Sequence, residues 1–260
     1  MDNPATAGEH LRQLRRHAKL SQLDLALITG ISQRHLSCLE TGRAKPSPGT
    51  LHNLLSALET PLEQCNRVFL AAGFAPRYAA TPLASPAMAA IREAVSHVLH
   101  ANNPAPAILL GSHWEVLAAN ASTGVLLALA GVTPPLEGLN LLTTLLQPGG
   151  LGDHLVNAEE IRTLAWQRAS REALDNPALA ALLASLPAPA HTTPPEMPPL
   201  VLTRVHTSRG ELSFLSTFTT FGMPQDITLA SLRIEHLIPA DDATWQVMRA
   251  AHGENAALVL

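Results

Sequence analysis

The sequence predicts two domains of different class: an all-α domain over residues 1–74, and an α+β domain over residues 86–260 built on a five-stranded antiparallel sheet, with a linker at 75–85. Three observations lead there. At 260 residues, nearly half of them apolar and only 15% charged, the chain can bury two cores. Apolar residues recur at helical spacing up to Leu70, with capping residues at each interruption. Thr, Val, Ile and Phe then accumulate in long alternating runs only after residue 200. Charge divides along the same line. Residues 1–60 carry seven basic and five acidic side chains, and residues 61–260 carry ten basic and sixteen acidic.

In the first domain, Leu11, Leu14 and Ala18 mark one helix, with Arg12, Arg15 and Arg16 between them. Ser21 is placed to cap a short helix over Gln22–Ile28, with Asp24 in its first turn. Gly30 ends that helix where the turn needs a positive φ. Ser32 caps the next, Gln33–Glu40, and Gly42 closes it. Pro46 and Pro48 break the chain before Leu51, Leu54, Leu55 and Leu58 define a fourth helix. Two short helices across a Gly-containing turn form a helix-turn-helix unit, whose second helix can enter a DNA major groove with its N-terminal side chains on base edges. Ser32, Gln33 and Arg34 occupy that place. Gln matches adenine's donor–acceptor pair, and Arg matches guanine's two acceptors.

The run SQLDLALITGISQRHLSCLETGRAKPS resembles the core of the Cro/phage-repressor (XRE) family. The resemblance covers about 50 residues and rests on Gln22, Ala26, Gly30 and Leu39-Glu40-Thr41-Gly42-Arg43. It implies double-stranded operator DNA as partner. It puts Ser32, Gln33, Arg34 and Cys38 at base-contacting positions, and Arg15, Gln22, Arg43 and Lys45 where the family holds phosphates. Arg15 also falls where the family pairs it with Glu40. Cys38 departs from the polar residues usual at its place, which leaves it an apolar contact such as a thymine methyl, or none.

Pro61 restarts a helix carrying Leu62, Cys65, Val68, Phe69 and Leu70 up to Gly73, and the aperiodic 75–82 reads as linker, with Tyr78 available to dock it. Ser85-Pro86 begins the next helix, striped by Met88, Ile91, Val95, Val98 and Leu99. Ala107–Leu110 and Trp114–Ala118 are strand candidates across Gly111-Ser112-His113. Helices are expected over 120–130, 139–146, 153–174 and 177–186, followed by a loop at 187–199 that holds six prolines. Leu200–His206, Glu211–Phe221 and Asp226–Ile238 read as a three-stranded meander, with a bulge near Ala230-Ser231 where the apolar phase shifts. Phe214 and Phe218 share one face of its middle strand. Asp241 or Asp242 caps a last helix.

Two strands, a helical insertion and three more strands make a PAS-like pattern. The runs Leu110-Gly111-Ser112-His113-Trp114-Glu115-Val116-Leu117-Ala118-Ala119-Asn120 and Gly210–Gly222 resemble the ligand-binding domain of MmyB-like regulators, as does the junction from Leu62 to Tyr78. That resemblance implies a bacterial, cytoplasmic homodimer whose PAS-like domain holds a small apolar ligand, with fatty acids the suspected class. A cavity between helices and sheet would be lined by Trp114, Leu117, Asn120, Leu142, Trp166, Phe214, Phe218 and Phe221; as ordinary core positions the same aromatic and Leu residues need no cavity, and Asn120 is better explained as a helix N-cap. A domain that only dimerises or recruits a protein partner, with a filled core, is the alternative.

The remaining motifs point away from catalysis, cofactors and membranes. GxSxG, Walker, HExxH and GxGxxG patterns are absent from the sequence. His97, His100 and His113 have no carboxylate or cysteine at a spacing that completes a zinc site, so no metal is expected. Cys38 and Cys65 lie in separate helical patterns and read as reduced thiols. The chain begins without a secretory h-region and has no run of about 18 apolar residues.

Overall fold

The computed structural model describes residues 6–132, 138–190 and 199–258, in two units. One takes the chain as far as Thr81 together with Met223–Ala230. The other takes Pro82–Gly222 and the residues from Ser231 onward. Most of the proline-rich loop expected at 187–199 lies outside the described residues.

Small polar residues fix where the first unit's helices start. α1 (Ala7–His17) opens on a capping box: Thr6 Oγ1 accepts from the Glu9 amide while the Glu9 carboxylate accepts from Thr6. α2 (Gln22–Thr29) opens on the same device from Ser21 and Asp24, and ends on Gly30 at a φ of 71°. Ser32 and Ser47 cap α3 (Gln33–Glu40) and α4 (Pro48–Ala57), and α5 (Leu62–Ala71) follows Pro61. Leu11, Leu25, Leu36, Leu51 and Leu54 fill one core against Phe69 of α5. Burial in that core pushes the Cys65 thiol up to about 11, which makes it an unreactive apolar filler.

Gly8 lets α1 close on α3. A Cβ at that position would stand 2.5 Å from the Leu39 carbonyl oxygen and 2.9 Å from that of Glu40, both backbone. Glycine-to-alanine inside a helix is ordinarily stabilising by about 1 kcal/mol, but here overpacking, typically about 1–3 kcal/mol, outweighs it. Gly8→Ala is expected to lower the urea midpoint of unfolding. A raised midpoint would mean that α1 can back away from α3 freely.

The chain leaving α5 is held in place. Asn66 Oδ1 accepts from the amides of Arg77 and Tyr78, and its Nδ2 donates to the Tyr78 carbonyl. Thr81 then donates from its amide and hydroxyl to Asp226 Oδ2, while Asp226 Oδ1 accepts from the Thr228 and Leu229 amides. This corrects the strand expected from Asp226. With its start capped by that carboxylate, Ile227–Ser231 is a short helix, α11, and the apparent phase shift marks a change of element instead of a bulge.

The second unit begins with a 3-10 turn at Pro86–Met88 and α6 (Ala89–Ala101). β1 (Ala107–Leu110), β2 (Val116–Ala119), β3 (Thr203–Thr207), β4 (Gly210–Thr220) and β5 (Arg233–Pro239) form one antiparallel sheet in the order β2-β1-β5-β4-β3. β5 is its centre, and the register sets Ser216 of β4 opposite Leu237, Phe218 opposite Glu235 and Thr220 opposite Arg233. Between the early and late strands lie α7 (Ala121–Leu129), α8 (Leu141–Leu146), α9 (Ala158–Glu172) and α10 (Pro177–Ser185), and α12 (Asp242–Leu258) follows β5. The single helix expected over 153–174 is broken before α9. Val156 donates to the Arg204 carbonyl, and Asn157 bonds the Leu202 carbonyl and the Arg204 amide, so backbone pairing with the β3 segment replaces helical bonds there. Trp114, expected to open a strand, lies instead in the turn before β2 at a φ of 66°. Among the described residues, no helix is long and apolar enough to cross a membrane.

Candidate functional site

Among the described residues, two places are candidates, beside a further hollow of similar volume next to α6. The first is the face of α3. Ser32, Gln33 and Arg34 are all exposed at its start, and Ser32 uses its hydroxyl to accept from the His35 amide. Cys38, one turn further along, is half-buried, and Arg43 and Lys45 beyond α3 are exposed. The other two residues expected on phosphates turn inward. Arg15 is only 8% exposed and grips Glu40 with Nε and Nη2 at 2.6 and 2.9 Å, while Nη1 donates to the Leu20 carbonyl at 2.8 Å. Gln22 Nε2 donates to the same carboxylate at 2.9 Å. Burial alone would push the Glu40 carboxyl up, but the donors from Arg15 and Gln22 and the charges of Arg15 and Arg12 hold it below its ordinary value. Arg15, Gln22 and Glu40 therefore brace α1, α2 and α3 against one another.

The second place is a cavity of about 320 Å³ inside the second unit, between the sheet and helices α7, α8 and α9. Its walls are mainly aliphatic, among them Leu126, Leu145, Leu164, Val205 and Leu237. A volume of this order is that of a small-molecule site. Of the residues expected to line it, Trp114 and Phe218 do. Leu117 and Asn120 face a different hollow, beside Val95 and Leu99 of α6. Asn120 is committed there as the cap of α7, and it also binds the Ala107 amide and the Leu99 and Ala105 carbonyls. Leu142 and Phe214 are 0% exposed in solid clusters, the first among α8, α9 and α10, the second against Met248 and Ala251 of α12. Trp166 packs on the edge of the α8–α10 cluster, and Phe221 lies just past the end of β4, neither of them on the cavity wall.

A family model described as the MmyB-like transcription regulator ligand binding domain matches residues 91–251, and one for a helix-turn-helix domain matches residues 6–68. The chain belongs to the MmyB-like transcription regulators. The chain is 42% identical over 57 residues to the uncharacterized HTH-type transcriptional regulator RghRB of Bacillus subtilis, 22% of this chain and 41% of that one. It is 40% identical over 58 residues to y4dJ of Sinorhizobium fredii, 22% of this chain and 75% of that one. The chain thus spans less than half the length of the first of these relatives. Among solved structures, the restriction-modification controller protein C.AhdI from Aeromonas hydrophila is 29% identical, covering 23% of this chain and 89% of its own, with a TM-score of 0.22.

The sequence of this MmyB-like regulator gave no hint of the polar corner of the cavity. Arg168 of α9, Ser216 of β4 and Glu235 of β5 all line it. The Arg168 guanidinium lies 3.8 Å from the Phe218 ring centroid, and its Nε donates to Glu172 at 2.9 Å. Glu172 also accepts from Trp114 Nε1 at 2.8 Å and stands 3.4 Å from Arg233. Ser216 Oγ donates to Glu235, whose carboxyl burial pushes above its ordinary value. These charged residues lie far apart in sequence, and only the strand register and the placement of α9 bring them to one cavity. Among the described residues, no group of three or more His, Cys, Asp and Glu is placed to hold a metal ion.

Proposed function

We propose that this protein is a ligand-responsive transcriptional regulator that reads an operator through α3 and senses a small apolar molecule, with fatty acids the favoured class. One observation carries the reading: a mainly aliphatic cavity of about 320 Å³ between the sheet and helices α7, α8 and α9. Covering apolar walls with an apolar chain removes their surface from water, which is favourable. Native mass spectrometry after mild purification tests it, because a stoichiometric apolar passenger is expected. Its absence, with no apolar compound raising the melting temperature, would leave a domain that only dimerises.

In this reading Gln33 and Arg34 read bases, while Arg43 and Lys45 hold phosphates on either side of a homodimer's half-site. Gln33→Ala and Arg34→Ala are expected to weaken operator binding by about 1–3 kcal/mol each, with little change on random DNA. Arg43→Ala is expected to weaken both alike and to reduce the salt slope by about one. Binding titrations on both DNAs at several salt concentrations check this. Equal losses from all three would mean that α3 lies along the backbone and reads nothing. The ligand acts, in this proposal, by shifting the dimer between geometries that match or miss the half-site spacing.

A further inference from the structure

Ser216 and Phe218 of β4 and Glu235 and Leu237 of β5 all line the cavity, and these two strands lie side by side in the sheet. They are also consecutive in the chain, so a single connection leads from one cavity wall to the other. That connection does not stay with the sheet. Met223–Ala230 belongs to the first unit, as does Thr81, where the chain leaves that unit for α6. Only a few residues separate Phe218 from Met223, and Ala230 from Glu235.

Inside the first unit the segment grips the exit of the DNA-reading helices. Ala79 and Asp226 form a parallel bridge, and the Ile227 amide donates to the Ala79 carbonyl at 2.8 Å. Thr81 donates from its amide at 3.1 Å and from its hydroxyl at 2.7 Å to Asp226 Oδ2. Asp226 Oδ1 accepts from the Thr228 and Leu229 amides at 2.9 and 3.3 Å, so one carboxylate joins the start of α11 to the segment that leaves α5. Upstream, Asn66 of α5 fixes Arg77 and Tyr78 with three bonds, and Phe69 of the same helix packs in the core shared with Leu11 and Leu36. The exit of α5 is therefore bonded to the connection between the two cavity strands and is not a free linker.

A further feature lies where that connection re-enters the sheet. Arg233, the first residue of β5 and opposite Thr220 of β4, is 8% exposed, and its Nε and Nη2 are buried donors without a hydrogen-bond partner. A buried donor left unpaired is costly, so a displacement of the strand ends that pairs it is favoured. The ends of β4 and β5 thus have a second arrangement to gain from.

We infer that the contact between Thr81 and Asp226 is the element that carries the state of the cavity to the DNA-reading unit. Filling the cavity sets how β4 and β5 pack against α9. Because their connection is anchored on Asp226, a shift at the strand ends draws on Thr81, and through it on the exit of α5. A ligand that favours one arrangement of the strand ends then favours one arrangement of that exit. Asp226 and Thr81 contact neither ligand nor DNA in this scheme; they are positioning residues. The inference rests on the sensing function proposed above and names the residues through which it is regulated.

The test measures coupling in the full-length, delipidated protein, with dodecanoate as the probe and a DNA site that the protein itself selects from a random pool. The coupling factor is the ratio of DNA affinities with and without saturating dodecanoate. By linkage the same factor must appear as the ratio of dodecanoate affinities with and without DNA, so each variant is measured both ways. The wild type is expected to show a factor of about five or more, in either direction, as is usual for coupled sites. Asp226→Asn keeps an acceptor for the α11 amides but turns a donor toward Thr81. It is expected to bring the factor close to one while leaving the affinity for dodecanoate alone and for DNA alone as in the wild type. Thr81→Val is expected to lower the factor, and Thr81→Ser, which retains the hydroxyl, to preserve it. An undiminished factor in both Asp226→Asn and Thr81→Val would overturn the inference and leave the sensor standing. So would a factor lost only in step with ligand or DNA affinity, which is what a merely structural contact would give. A wild-type factor of one would overturn the sensing function and this inference together. Should Asp226→Asn not fold, the Thr81→Val and Thr81→Ser pair decides alone.

Discussion

Replacing Glu40 with Ala is expected to cost the helix-turn-helix unit about 3–5 kcal/mol, the loss typical when one partner of a buried ion pair is removed. Arg15 would be left 8% exposed with no counter-ion, and Gln22 would lose its acceptor. Replacing both ends of the pair, as in Arg15→Met with Glu40→Leu, is expected to cost less than either single change, because no charge is then stranded. Urea unfolding of Glu40→Ala, of the two single changes and of the double variant checks this; a double variant that loses more than either single would refute it. The sign of the pH dependence follows from the same contact. The folded Glu40 carboxyl lies below its ordinary value, so its stabilisation is complete above the ordinary carboxylate range and disappears as pH falls through the folded value. The wild-type unit should therefore weaken in acid more steeply than the double variant.

Filling the cavity is the second large effect. Ala165 of α9 lines it, so Ala165→Phe should project a ring into existing space and keep the fold. With ligand at a hundred times its Kd, the wild type gains about 2.7 kcal/mol by mass action, and the filled variant is expected to gain none. Leu142→Trp makes the contrast, since Leu142 is 0% exposed in a solid cluster and enlarging it should cost about 1–3 kcal/mol with or without ligand. Thermal unfolding of both variants, with and without dodecanoate, separates the two cases. An Ala165→Phe protein that still responds fully to ligand would place the binding site elsewhere.

Local chemistry was the legible part. Ser21, Ser32 and Gly30 declare their helix ends within a few residues, because each acts on its own neighbours; the Thr6 cap of α1 went unread. The strand count was readable for the same reason, as was the order of the helices other than α11. What failed was any judgement needing a third dimension. Phe214 and Phe218 share a strand face, yet α12 covers only the first, and the second is 41% exposed at the cavity. Ile227 and Leu229 alternate as in a strand, and only the bonds at Asp226 show a helix. Arg168 and Glu235 meet through packing between α9 and the sheet, which no pattern along the chain records.

The partition of the chain bears on recombination. Met223–Ala230, spliced between β4 and β5, belongs with the DNA-reading unit, so the polypeptide passes from one unit to the other three times. A single cut after Thr81 cannot yield the whole first unit, because Thr81 would leave its Asp226 acceptor behind. Chimeras that exchange reading heads between regulators of this kind should therefore carry the 223–230 segment along with the head. A fusion made at the Thr81 junction alone would leave the exit of the head without its Asp226 tether.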